Sequence, residues 1–223
     1  MKLLAFVAIG LITFSSTLVR AASLHDRIYD ATRILEKRQG SLTPIPQEVL
    51  NHARGIAIGT ITKAGLGIGG QGGGGIVLLH YLGDATPSWS PPVAFTTTGG
   101  SVGAQIGFTT IRYIIILNSD DAVRLFTSPG KTTFDATATG TAGADTAREG
   151  ETTQDLERHA MIIYRDTGGL FGGATLGGTS VSVDDDANQD VYGDHIYVRQ
   201  ILANHVPKPH SAGRLYSLLN GDH

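Results

Sequence analysis

Basic side chains stand in this sequence where they can receive anionic groups. Arg27, Arg33, Lys37 and Arg38 fall in one short segment, and Lys63 precedes a glycine-rich tract. Each such cation is worth roughly 1 kcal/mol against an anionic lipid surface. Asp26, Asp30 and Glu36 in the same segment offset part of that charge. Backbone amides between Gly65 and Gly75 can take a phosphate without side-chain bulk, with Lys63 beside them. Trp89, next to Pro91-Pro92, is a candidate interfacial anchor, with packing as the alternative.

Three motifs imitate enzymes. Gly65-Leu66-Gly67-Ile68-Gly69-Gly70 fits G-x-G-x-x-G, but a dinucleotide site needs a helix directly afterwards, and more glycines follow instead. This tract reads as glycine-rich turns. Gly99-Gly100-Ser101-Val102-Gly103 fits G-x-S-x-G. Val102, Ala104, Ile106 and Phe108 then alternate like a strand, whereas a nucleophile elbow continues into a helix. A serine hydrolase using Ser101 is therefore a remote alternative. Asp184, Asp186, Asn188 and Asp190 alternate like a calcium loop, but Gln189 and His195 stand where such a loop needs Gly and Glu. No catalytic residue, cofactor site or metal site is expected.

Composition sets the outer limits. The chain has 223 residues, no Cys and 30 Gly, so disulfides and thiolate metal sites are excluded. Glycine at this level favours strands and close backbone approach over helix. Residues 1–21 read as a signal peptide: Lys2, an apolar run, then Val19-Arg20-Ala21. Removing them leaves fifteen basic and twenty acidic residues, a net charge of −5. A net-acidic chain is a poor nucleic-acid binder, so attraction to anions must be local.

The elements that position these residues follow from periodicity. Residues 23–38 read as an amphipathic helix with Ser23 as cap, Asp26 in the first turn and Gly40 after the end. Leu24, Ile28, Ala31 and Leu35 form its apolar face, which either enters a membrane interface or packs on a sheet. A short helix over 47–53 follows Pro46. Strands are expected over 55–61, 75–82, 93–98, 103–109, 111–117, 132–141, 160–165 and 173–183. Helices are expected over 120–127, capped by Ser119, and over 212–219, with a turn or short helix over 188–193. The fold class is α+β and mostly β: an antiparallel, glycine-rich sheet or barrel flanked by an N-terminal amphipathic helix and a C-terminal helix. Residues 22–223 read as one domain.

The order of the motifs is more specific than any one of them. Ala53-Arg54-Gly55-Ile56-Ala57-Ile58 leads to Lys63-Ala64-Gly65-Leu66-Gly67 and then to Trp89-Ser90-Pro91-Pro92. Gly99 to Gly107, Gly169-Leu170-Phe171-Gly172-Gly173, Tyr192-Gly193 and Ile201-Leu202 follow. This succession resembles the SYLF family, also called the Ysc-type actin-binding domain, over nearly the whole chain after residue 22. The resemblance implies binding of phosphoinositides or other anionic phospholipids at a membrane surface, without catalysis, by a domain whose N-terminal helix contributes. It also implies, as the alternative, a protein-interaction or envelope structural role related to actin-binding members. An exported member would be periplasmic or extracellular. His80 stands where the family usually carries a basic residue, and residues 141–148 keep only Arg148 of a common motif.

Overall fold

The computed structural model describes residues 22–82, 88–128, 131–134, 159–165 and 179–222, with the backbone alone for 64–69, 101–108 and 131–134. Residues 1–21, where a signal peptide is expected, most of residues 132–141, and the motifs at 141–148 and 169–178 lie outside the described residues.

Helix α1 (Leu24–Gln39) begins with a capping box. Ser23 accepts from the Asp26 amide, and the Asp26 carboxylate accepts from the Ser23 amide. Leu24, Ile28, Ala31 and Leu35 are all buried, so in this structure the apolar face packs on the sheet. Helix α2 (Gln47–His52) starts after Pro46, as its fixed φ allows.

Two long strands carry the sheet. Strand β1 (Gly55–Tyr81) pairs antiparallel with β3 (Val93–Leu117) from Gly55 opposite Leu117 to Val77 opposite Val93. Strand β2 (Ser88–Trp89) pairs with the end of β1. The far edge of β3 takes β5 (Met161–Arg165) against Tyr113 to Leu117 and β6 (Thr179–Val183) against Phe95 to Gly99. Strand β4 (Lys131–Phe134) pairs with β6. Among the described residues the sheet is open, with β2 and β4 at the ends of its order.

Both faces of the sheet are covered. Ile56, Ile58, Ile76, Ile114, Ile116 and Ile162 pack under α1 and the last helix, α6 (Gly213–Asn220). Ala57, Val77, Phe95, Ile115 and Ile163 pack against α3 (Asp120–Thr127) and α5 (Val198–Leu202). Two buried faces explain the uninterrupted Ile114 to Leu117 run, which a sheet with one wet face would break up. Helix α4 (Asp185–Tyr192) is held to β3 by Asn188, whose side chain bonds both the N–H and the C=O of Ala94.

The glycine tract departs from the sequence expectation. Residues 65–75 are not turns but the middle of β1, with a register shift between Leu66 and Ile68. The β1–β3 ribbon coils until the first third of β1 lies against its last third. The His80 amide donates to the Arg54 carbonyl at 2.9 Å. A Cβ on Gly73 would sit on the Thr60 carbonyl oxygen, and one on Gly75 on that of Ile58. Gly73 and Gly75 are there because another stretch of backbone occupies the side-chain space.

This contrast is testable by urea unfolding. Gly75→Ala should cost about 1–3 kcal/mol or more, because the methyl has no room. Gly70→Ala meets nothing within 4 Å and should be neutral or stabilising by up to about 1 kcal/mol. Equal losses at the two positions would contradict the close approach.

Candidate functional site

A cleft of about 920 Å³ opens between the outer edge of α1 and the sheet. Arg33, Lys37 and Arg38 of α1 line one wall; Arg112 of β3 and Arg165 of β5 line the other. Against these five cations stand two acids, Asp30 and Glu36. Glu36 is engaged elsewhere, accepting from Arg214 of α6 at 2.9 Å. The cleft is therefore a region of concentrated positive charge on a chain that is net acidic.

Helical geometry explains the α1 wall. Arg33 and Lys37 are four residues apart and share the exposed side of the helix, opposite the buried leucines. The Arg33 guanidinium lies 5.8 Å from the centre of the exposed Tyr29 ring. Arg38 turns further inward, with its guanidinium 4.7 Å from the centre of the Tyr164 ring. Burial lowers the pKa of Arg38, and the neighbouring Tyr164 opposes that shift. Arg165 is buried, and burial lowers its pKa too. Two arginines held partly out of water favour any anion that reaches them.

The other candidate residues go elsewhere. Lys63 sits beside the cleft; its pKa is lowered first by burial and then by the nearby Arg165 cation. Arg27 is buried and unavailable to a headgroup. Its guanidinium donates to the Phe95 carbonyl and pairs with Asp184, whose side chain also accepts from the Ala187 amide at the start of α4. Asp184 thus belongs to a helix cap and an ion pair rather than a calcium loop. No cluster of three metal-ligating side chains occurs among the described residues. Trp89 is also buried, which removes it from an interface. It stacks on His80 with ring centres 4.2 Å apart and planes 3° from parallel.

Ser101 lies in the middle of β3, opposite Gly69, so the chain makes no strand-to-helix corner there. Among the described residues, no helix is long and apolar enough to cross a membrane.

Arg112 and Arg165 were not singled out by sequence reasoning. The available signal was a charge inside the apolar run from Ile111 to Leu117, on the same face as Ile114 and Ile116.

Comparison with known proteins decides the family. The family described as Ysc84, Las17-binding protein actin regulator, matches residues 98–221. The chain belongs to the Ysc84, or SYLF, family. SYLF relatives include an SH3 domain-containing protein, PJ696.02, of Schizosaccharomyces pombe, 36% identical over 193 residues (85% of this chain, 44% of the relative). LAS seventeen-binding protein 3 of Saccharomyces cerevisiae is 32% identical over 178 residues, covering 78% of this chain and 38% of that protein. SH3 domain-containing YSC84-like protein 1 of Mus musculus is 34% identical over 187 residues, covering 83% and 54%. The chain spans about half or less of the length of these relatives. No solved structure matches it.

The stack of half-buried His80 on Trp89 gives a pH prediction. Burial holds the His80 pKa below its ordinary 6.5, against a smaller opposing effect of its Nδ1 hydrogen bond to the Ala53 carbonyl. The unfolded chain then takes up this proton at higher pH than the folded one. The stability His80 contributes is whole above pH 6.5 and is lost as pH falls through the lowered folded value. Trp89 is the only tryptophan and reports unfolding by fluorescence. Acidification should destabilise the wild type more than His80→Phe, which keeps the stack without the proton. Equal pH slopes would contradict this assignment.

Proposed function

We propose that this SYLF chain is a non-enzymatic interaction domain that docks an acidic protein surface across the mouth of the cleft. The observation that carries the reading is the grouping of exposed Arg33, Lys37 and Arg112 around one opening. Burial of the apolar face of α1 adds to it, since only the charged side of that helix remains for a partner. Actin, named in the family description, is the first probe. The reading extends to location: residues 1–21 direct export, which the mass of the mature chain checks.

Co-sedimentation with filamentous actin tests the protein reading. The wild type should pellet with filaments, less so as salt rises. The combined variant Arg33→Glu, Lys37→Glu and Arg112→Glu should bind about tenfold more weakly or worse, since each rim charge is worth roughly 0.2–1 kcal/mol and is here reversed. A wild type that stays in the supernatant, or a variant that pellets equally, would overturn it.

A second reading, an anionic phospholipid surface such as one bearing phosphoinositides, has its own support. Leu42 is fully exposed between Ser41 and Thr43, which both line the cleft. A leucine entering the headgroup boundary beside a basic opening contributes up to about 1.5–3 kcal/mol. On this reading Leu42→Ser weakens co-sedimentation with phosphatidylserine vesicles about tenfold while leaving actin binding unchanged. Equal vesicle binding by the two proteins would remove it.

A further inference from the structure

A second, much smaller cavity lies where the long ribbon coils back on itself. Gly73, which pairs with Thr97, lies against Ile61 at that crossing. Thr97 and Tyr113, near the two ends of β3, both line the cavity, as does Thr179 of β6. The other described walls are apolar: Ile61, Ile115, Val181 and Phe126 of α3. Thr97 and Tyr113 are only 3% and 2% exposed, and neither hydroxyl has a hydrogen-bond partner. A buried hydroxyl left in that condition costs its full desolvation, so folded proteins rarely keep one. Here two of them border one cavity.

The lining selects what fits. Burial raises the Tyr113 pKa, against the smaller opposing effect of the Arg27 cation, so its phenol stays protonated and has a proton to donate. Thr179 Oγ1 accepts from Gln71 Nε2 at 2.7 Å, which leaves its own proton to donate. Thr97 Oγ1 can accept. No charged side chain stands among the described lining residues, which disfavours an ion. The cavity volume is about 10 Å³, which admits one water and nothing larger. A buried water typically makes about three hydrogen bonds, and three hydroxyl side chains line this cavity. A wholly apolar cavity of this size would stay dry.

We propose that this cavity is a binding site for a single ordered water, which accepts from the Tyr113 and Thr179 hydroxyls and donates to Thr97 Oγ1. The water is then a structural part of the coil. It joins the two ends of β3 to β6 beneath α3, where no side chain reaches across. It is held whatever partner the cleft takes, so the two stand or fall separately.

A high-resolution crystal structure of the full chain, with urea unfolding of two variants that keep the side-chain shape, tests it. Electron density for one water within hydrogen-bonding distance of Thr97, Tyr113 and Thr179 is expected in the wild type. It should be lost when Thr97→Val and Tyr113→Phe are combined. In solution, Tyr113→Phe or Thr97→Val alone should lower the folding equilibrium constant about threefold to tenfold, the scale of one net hydrogen bond. The double variant should lose less than the product of the two, because the first removal already loosens the shared water. A hydroxyl that truly lacks a partner behaves in the opposite way, and its removal stabilises the fold. Stabilisation by either single variant, fully multiplicative losses, a direct bond between the Tyr113 and Thr97 hydroxyls, or no water density there in the wild type would overturn the proposal.

Discussion

The Arg27 guanidinium lies where a side chain at position 74 would be. A Cβ on Gly74 would come within 2.5 Å of Arg27 Nη1 and of the Phe95 carbonyl oxygen. Because that space is vacant of side chain, a cation from α1 reaches through to the backbone of β3 and to Asp184 at the head of α4. One buried ion pair thereby ties a helix, both long strands and a second helix. A buried charge left without its partner costs several kcal/mol, so α1 is held in one place. The cleft exists because α1 is held there, with Arg33, Lys37 and Arg38 facing Arg112 and Arg165 across a fixed gap.

Parts of this were legible in the sequence because they are local. The Ser23–Asp26 capping box, the spacing of Leu24, Ile28, Ala31 and Leu35, and the Ser119 cap of α3 all depend on near neighbours, and all stand where the pattern put them. The glycines between Gly65 and Gly75 read as turns because glycine's backbone preference is local too. The reason for Gly73 and Gly75 is tertiary: backbone from the start of β1 fills the room a side chain would need. Nothing within a few residues announces such a crossing. The role of Arg27 was hidden in the same way. Its spacing put it among the basic residues of α1, whereas the decisive fact is a glycine and an aspartate far along the chain.

The site follows that division. The α1 half of the cleft was legible as Arg33, Lys37 and Arg38 on the side of the helix away from its apolar face. The sheet half was not, because Arg112 and Arg165 become neighbours only through the pairing of Tyr113 with Arg165. Trp89 looked like an anchor next to two prolines, but it fills the core against His80. On the proposed reading this SYLF domain meets its partner with side chains displayed on a packed scaffold, and the helix that displays them keeps its apolar face in the core.

Hydrogen exchange of the α1 amides, with and without a bound anionic partner, tests that claim most directly. Amides from Ile28 to Leu35 should exchange only by rare opening in both states, and binding should slow them further or leave them unchanged. Faster exchange on binding, with Arg27 released from Asp184, would mean that the helix leaves the sheet to engage its partner and that the cleft is not the functional surface.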